Sequence, residues 1–119
     1  MNAQPITTSY LQIDQANAHA LELAQTKLDQ ALQIAQKTFA DATEAGYNMG
    51  VADSLLVQGV VNFYYANYET ALLQLGKALA VYESVKVPEK CSRALHTMGI
   101  TFRQIGDFSS ALDAFSKAL

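Results

Sequence analysis

The stretch "ANYETALLQLGKAL" at residues 66–79 decides the fold, because a close copy, "GDFSSALDAFSKAL", follows at residues 106–119. An earlier step of the same forty-residue register holds Ala31, Leu32 and Lys37. A fixed period of this length is typical of stacked supersecondary units, so the sequence predicts a repeat protein. Further pairs that align at this shift are Leu55 with Leu95, Gly59 with Gly99, Tyr68 with Phe108, Ala71 with Ala111 and Lys77 with Lys117.

Within each unit the pattern predicts two helices. Apolar residues recur with a helical period from about residue 52 to 66, and a second helix is expected at about 68–83. Asn67 in this unit and Gly106-Asp107 in the next predict the turn between the two helices. Each unit is therefore expected to be a helix hairpin. The apolar positions of the first helix are Leu55, Leu56, Val60, Phe63 and Tyr64.

Two further residues mark helix ends. Gly46, after "FADATEA", predicts a helix C-terminus. Pro88 predicts a helix start, since the first turn does not use the N–H that proline lacks, and Glu89 there complements the helix dipole.

The first unit is less regular. Residues 10–43 contain no glycine and no proline, which leaves two alternatives: a hairpin that turns at Thr26-Lys27, or one long helix. The repeat register favours the hairpin, and Ser9 with Gln12 predicts a capping box at its start. The expected division of a single domain, 1–119, is a flexible start (1–9), a degenerate first repeat (10–49), a second repeat (50–89) and an uncapped third repeat (90–119).

The composition narrows the class of partner. Hydrophobic residues make up 50% of the chain, and the 11 acidic and 8 basic residues, giving a net charge of −3, are scattered without blocks. Without a cluster of lysine and arginine to displace counterions from phosphate, neither nucleic acid nor an anionic membrane is an expected partner. The start lacks the features of a signal peptide, so a cytoplasmic location is expected.

Few side chains could carry out catalysis. Cys91 is the only cysteine, which excludes an intramolecular disulfide, and it is expected to be a small apolar filler. Cys91 and His96 would point about 140° apart on a helix, so they do not form a nucleophile and base. His19 and Glu22 share a helix face and could supply half a metal site, although two surface side chains are the expected outcome. The sequence predicts no enzyme, no cofactor and no metal.

The order of Gly59, Asn67-Tyr68, Ala71, Leu75 and Ala78 resembles the tetratricopeptide repeat. Its forty-residue spacing exceeds the usual length of about 34 residues and is similar to a variant found in bacterial regulatory proteins. The resemblance covers residues 50–119 well and 27–49 weakly. It implies an all-α fold of antiparallel hairpins stacked as a right-handed solenoid of about two and a half to three repeats. The matching third copy consists of Leu95, Met98, Gly99, Phe102, Gly106, Phe108, Ala111, Phe115 and Ala118.

The resemblance also implies how the helices pack. Tyr68 and Phe108 are expected to fill the turns, whereas Gln58 and Asn62 depart from the apolar residues that the family has at their positions. The small residues expected to allow close contact between helices are Gly59, Gly99, Ala71, Ala111, Ala78 and Ala118.

In this family the first helix of each hairpin lines a concave groove that binds extended or helical peptides. The resulting half-apolar, half-basic groove is expected to suit a peptide with aliphatic side chains and one or two carboxylates. Leu56 and Val60 stand where the family's carboxylate-clamp members need Lys, Arg or Asn, which disfavours capture of a chaperone tail. An alternative is that Arg93 and Arg103 only solvate their helix. The expected groove residues are Asp53, Leu56, Val60, Phe63, Arg93, His96, Ile100 and Arg103.

A second surface is expected on the last helix. Leu112, Phe115 and Leu119 form an apolar face that would otherwise be covered by a following helix, so the chain is expected to be the N-terminal part of a longer protein and to self-associate. The sequence thus favours a protein- or peptide-binding module of a bacterial regulatory protein. The alternatives are a self-association element that joins output domains and a sensor of a small ligand bound between helices.

Overall fold

The computed structural model describes residues 9–119. Within this range the chain forms six helices and no strand, and each helix packs against the next one in the chain. In addition, α1 contacts α3, and α3 contacts α5. The predicted all-α stack of helix hairpins is therefore confirmed, whereas the expected flexible start lies, apart from Ser9, outside the described residues. The helices are α1 (Tyr10–Leu23), α2 (Leu28–Glu44), α3 (Asn48–Tyr64), α4 (Tyr68–Val85), α5 (Pro88–Gln104) and α6 (Phe108–Ala118).

The first unit is a hairpin. Helices α1 and α2 are separated by a turn in which the N–H groups of Thr26 and Lys27 both donate to the carbonyl of Leu23, at 3.0 and 2.7 Å. At the start of α1, the N–H of Gln12 donates to Ser9 Oγ at 3.2 Å, and the N–H of Ser9 donates to Gln12 Oε1 at 3.0 Å. The predicted capping box is therefore present.

The four turns after α2, α3, α4 and α5 use a left-handed residue directly before the N-cap of the next helix. Gly46 and Gly106 adopt this conformation, with φ of 68° and 85°, as expected of residues that end a helix. The turn between α3 and α4 includes Asn67, as predicted: Ala66 has the positive φ of 65°, and Asn67 is the N-cap with a φ of −89°. Lys86, with a φ of 58°, has the same role after α4.

The repeated glycines lie where helices approach closely. A Cβ at Gly59 would stand 2.6 Å from Leu75 Cγ, and one at Gly99 would stand 2.5 Å from Phe115 Cε1. The two large residues are themselves forty positions apart, so the same contact occurs in both hairpins. Because Ala71 is also fully buried, the expectation that small residues allow close packing is confirmed.

The two turn aromatics behave differently. The Tyr68 ring lies 5.9 Å from the Phe63 ring, between centroids, beside the turn. Phe108 is 68% exposed, so the expectation that it fills its turn was wrong. The position before it, Asp107, instead caps α6 by accepting a hydrogen bond from the Ser110 N–H at 3.1 Å.

The two unexpected polar residues of α3 form a network of amides with α4. Asn62 Nδ2 donates to Gln74 Oε1 at 2.8 Å, and Gln74 Nε2 donates to Gln58 Oε1 at 3.1 Å. Asn67 Nδ2 also donates to Asn62 Oδ1 at 3.2 Å. Burial of these amides is tolerated because each has partners.

The core divides into two clusters. One joins α1, α2 and α3 and includes Ala20, Ala35 and Val61, and the other joins α3, α4 and α5 around Leu75 and Tyr82. No helix between residues 9 and 119 is both long and apolar enough to cross a membrane.

Candidate functional site

The first helices of the three hairpins, α1, α3 and α5, line one cavity of about 410 Å³, here called the central cleft. They meet there because each hairpin stacks on the previous one, so that α3 contacts both α1 and α5. Apolar side chains from two helices lie beside charged ones from all three. The lining residues are Asp14, Asn17, Ala18 and Leu21 of α1, Asp53, Leu56 and Val57 of α3, and Glu89, Lys90 and Arg93 of α5.

Asp53 joins three helices at one side of the cleft. Lys90 Nζ lies 2.9 and 3.0 Å from its two carboxylate oxygens, and the Tyr82 hydroxyl donates to Oδ1 at 2.6 Å. Burial, followed by the charge of Asp53 and its hydrogen bond, raises the pKa of Tyr82 well above its usual range, so the phenol stays a donor. Within the cleft, the charge of Asp53 is thus already balanced by Lys90.

Asp14 of α1 is held by Tyr47, the N-cap residue of α3. The Tyr47 hydroxyl donates to both its carboxylate oxygens, at 2.8 and 3.0 Å, and the Tyr10 ring stacks on the Tyr47 ring with centroids 3.9 Å apart. Desolvation of Tyr47, followed by its hydrogen bond to Asp14, raises the pKa of Tyr47 to about 12. Because the Tyr47 phenol is neutral, it does not offset the negative charge of Asp14. This wall of the cleft is therefore anionic.

Asn17 fixes the position of α1 behind that wall. Its Nδ2 donates to the carbonyl of Gly50 at 3.1 Å, and its Oδ1 accepts from the Thr38 hydroxyl at 2.6 Å. The side chain is buried, and the three residues belong to α1, α2 and α3. A Cβ at Gly50 would stand 2.8 Å from Ile13 Cγ2, so the close approach of α3 to α1 depends on glycine here.

The expected groove residues are only partly brought together. Asp53, Leu56 and Arg93 line the central cleft, with Leu56 only 4% exposed at its floor. Val60 and Phe63 pack against the α3–α5 core cluster. Further from the cleft, Ile100 is half-buried and Arg103 is exposed. His96 lies towards the end of the array, its ring centroid 5.6 Å from that of Phe115.

The charge of the cleft differs from the half-basic expectation. Asp14, Asp53 and Glu89 contribute three carboxylates, against the two cations of Lys90 and Arg93. Sequence reasoning missed Asp14, Asn17 and Lys90. Lys90 could have been found, because it lies in the first turn of α5, the helix that packs beside Asp53. Asp14 and Asn17 could not, because α1 lies outside the clear part of the repeat.

The expected self-association residues also separate. Leu112 and Leu119 are exposed on the outer side of α6, beside the exposed Phe108. Phe115 turns inwards and lies over Gly99. The exposed stripe of α6 therefore consists of Phe108, Leu112 and Leu119, of which Leu119 also lines a cavity together with Phe115.

Within the described residues, no three His, Cys, Asp or Glu side chains are grouped so that they could hold a metal ion. Comparison of the chain with protein-family models, with curated proteins and with solved structures gave no match.

Proposed function

We propose that the chain is a non-catalytic scaffold that holds a segment of a protein or peptide in the central cleft. The observation that carries this proposal is that three helices from three hairpins line the same cleft. Together they present apolar side chains between charged ones. Recognition sites of this kind bury apolar side chains and use a few polar groups to orient them. The resemblance to the tetratricopeptide repeat adds a setting, the cytoplasmic interaction module of a bacterial regulatory protein.

The charges of the cleft define the ligand further. Asp53 and Lys90 neutralise each other, which leaves Asp14 of α1 and Glu89 and Arg93 of α5 to pair with the ligand. We expect an aliphatic side chain over Leu56 and Val57, a carboxylate towards Arg93 and a basic group towards Asp14. Charge placed in this way selects the orientation of a peptide more than it adds affinity.

The test is to block the cleft without disturbing the core. Ala18 is exposed and lines the cleft, so Ala18→Trp places an indole in the binding volume. A library of random 12-residue peptides is selected on the wild-type protein, and the dissociation constants of the enriched peptides are measured by fluorescence anisotropy. We expect Ala18→Trp to weaken binding at least about tenfold, since apolar contact and orientation are both lost.

Ala40→Trp is the matched control, because Ala40 is an exposed alanine of α2 that does not line the cleft. It should leave the dissociation constants unchanged, with helical circular dichroism the same in both variants. The cleft is not the binding site if no peptide is enriched, or if enriched peptides bind Ala18→Trp as well as wild type.

The exposed stripe of α6 supports a second candidate, a self-association element that joins attached domains. Phe108 and Leu112 are 68% and 69% exposed, and Leu119 is fully exposed. A contiguous apolar stripe of this kind is uncommon on a surface that remains in water. Its test is the oligomeric state of the Leu112→Glu variant.

A further inference from the structure

A second cavity, here called the end cleft, lies at the α5–α6 end of the array. It has a volume of about 490 Å³ and is formed by α5 and α6 alone. Glu89 and Arg93 also reach the central cleft, but the other residues of the end cleft do not. These others are Ser92, His96, Phe115, Ala118 and Leu119.

The repeat shows what the end cleft is shaped to receive. Forty residues earlier, its α6 residues correspond to Leu75, Ala78 and Leu79, and its α5 residues Ser92 and His96 correspond to Ala52 and Leu56. Four of these earlier residues belong to the core cluster that includes Ala94 of α5, and the fifth, Leu79, packs against that cluster. The end cleft is therefore the place that one further helix would occupy, as α5 occupies the equivalent place on α3 and α4.

The end cleft differs from its internal counterpart in polarity. Its α6 side keeps the apolar Phe115 and Leu119, whereas its α5 side has Ser92 and His96 in place of the buried Ala52 and Leu56. The Ser92 hydroxyl already donates to the Ala118 carbonyl at 2.7 Å, and His96 is exposed to water while the cleft is empty. Neither polar group is left without a partner in the empty cleft, so the surface is suited to a helix that associates and dissociates.

The charges identify the complementary residue on that helix. Asp53 of α3 pairs with Lys90, the third residue of α5, at 2.9 Å. Arg93 is the exposed residue of α5 that stands at the position of Asp53 in the repeat. Suppose that a further helix packs on α5 and α6 in the way that α5 packs on α3 and α4. The third residue of that helix then lies beside Arg93, and an acidic side chain at this position pairs with Arg93. The first turn of a helix also favours an acid.

We propose that the end cleft binds an amphipathic helix of a partner protein, antiparallel to α6, with an acidic residue in its first turn paired with Arg93. The buried stripe of that helix resembles the stripe that α5 presents to its own core cluster, Cys91, Ala94 and Met98. This spacing of three and four residues on one face is the usual pattern of a helix bound in a groove.

The probe is a synthetic peptide with the sequence of residues 86–105 that carries Lys90→Glu and Cys91→Ala, here called the acidic peptide. A hydrocarbon staple joins positions 92 and 96, which face away from the buried stripe, so that the peptide is helical in solution. A second peptide, the basic peptide, keeps Lys90 and is otherwise identical. We expect the acidic peptide to bind the wild-type chain about tenfold more tightly than the basic peptide, because attraction to Arg93 replaces repulsion. The Arg93→Asp variant should reverse the preference.

Position-specific controls separate this site from the central cleft. Leu119→Asp should weaken binding of the acidic peptide, whereas Leu73→Asp, at an exposed leucine of α4, should not. Ala18→Trp should have no effect on this peptide, even though it blocks the central cleft. The proposal fails if neither helical peptide binds, if Arg93→Asp does not reverse the preference, or if Ala18→Trp abolishes binding. It also fails if a dimer of the chain excludes the peptide, since a second copy would then occupy the end cleft.

Discussion

Gly59 and Gly99 show how single residues set the distance between helices. Each faces a large side chain of the next helix, Leu75 or Phe115, at a separation that leaves no space for a Cβ. The two sites differ in surroundings, because Leu75 is fully buried and Phe115 is half-buried near the end of the array. Leu75 therefore has less freedom to move aside than Phe115 does.

We expect Gly59→Ala to lower the free energy of unfolding by about 1–3 kcal/mol, because overpacking outweighs the gain in helix propensity. Gly99→Ala should cost less, since Phe115 can rotate towards solvent. Urea unfolding followed by circular dichroism measures both.

Gly76→Ala provides the matched control. Gly76 lies within α4, and a Cβ there would meet nothing within 4 Å. The free energy of unfolding should rise by about 0.5–1 kcal/mol through helix propensity alone. If Gly59→Ala raised stability as Gly76→Ala does, the close contact with Leu75 would not limit the packing of α3 on α4.

At the scale of helices, the structure has a shorter period than the sequence pattern revealed. From α2 onwards the helices begin at Leu28, Asn48, Tyr68, Pro88 and Phe108, twenty residues apart, so each helix and the turn after it together span one constant length. The forty-residue period was visible because equivalent helices share packing residues. The twenty-residue period was not visible, because the equivalent turn positions do not share one residue type: positions 46, 66, 86 and 106 hold glycine, alanine, lysine and glycine.

The same comparison explains which site residues could be predicted. Asp53, Leu56 and Arg93 lie in helices with a clear repeat register, and all three line the central cleft. Helix α1 begins eighteen residues before α2 rather than twenty, so Asp14 and Asn17 have no counterparts in that register. Their positions depend on hydrogen bonds to other helices, which a linear pattern does not contain.

Ala66 provides a test of the turn geometry. An alanine with a φ of 65° is strained, because its Cβ crowds the following carbonyl, and glycine removes that strain. We expect Ala66→Gly to raise the free energy of unfolding by about 0.5 kcal/mol, after the greater entropy of glycine in the unfolded chain is subtracted. Urea unfolding measures this change.

The same substitution in a helix should have the opposite sign. Ala40 lies in α2 and is exposed, so Ala40→Gly is expected to lower stability by about 1 kcal/mol. Equal losses in both variants would mean that Ala66 is not strained in solution.

At the scale of the whole molecule, the array measures 59 × 30 × 19 Å and leaves the outer stripe of α6 exposed. The residues that correspond to Leu112 and Leu119 in α4 are Leu72 and Leu79, which are half-buried. Two copies that paired along this stripe would bury several large apolar side chains. At about 25 cal/mol per Å², even a few hundred Å² of buried apolar area would favour a dimer by several kcal/mol before the cost of association.

If the stripe joins two copies, the wild-type chain sediments as a dimer across a concentration series and the Leu112→Glu variant sediments as a monomer. A glutamate at this position would be buried without a partner in the dimer, whereas it is hydrated in the monomer. Leu73→Glu places the same charge at a leucine of α4 that is 58% exposed, and it should leave the dimer intact. A wild-type chain that remains a monomer at every concentration rules out the stripe as a dimer interface, and a dimer that survives Leu112→Glu assigns the interface to another surface.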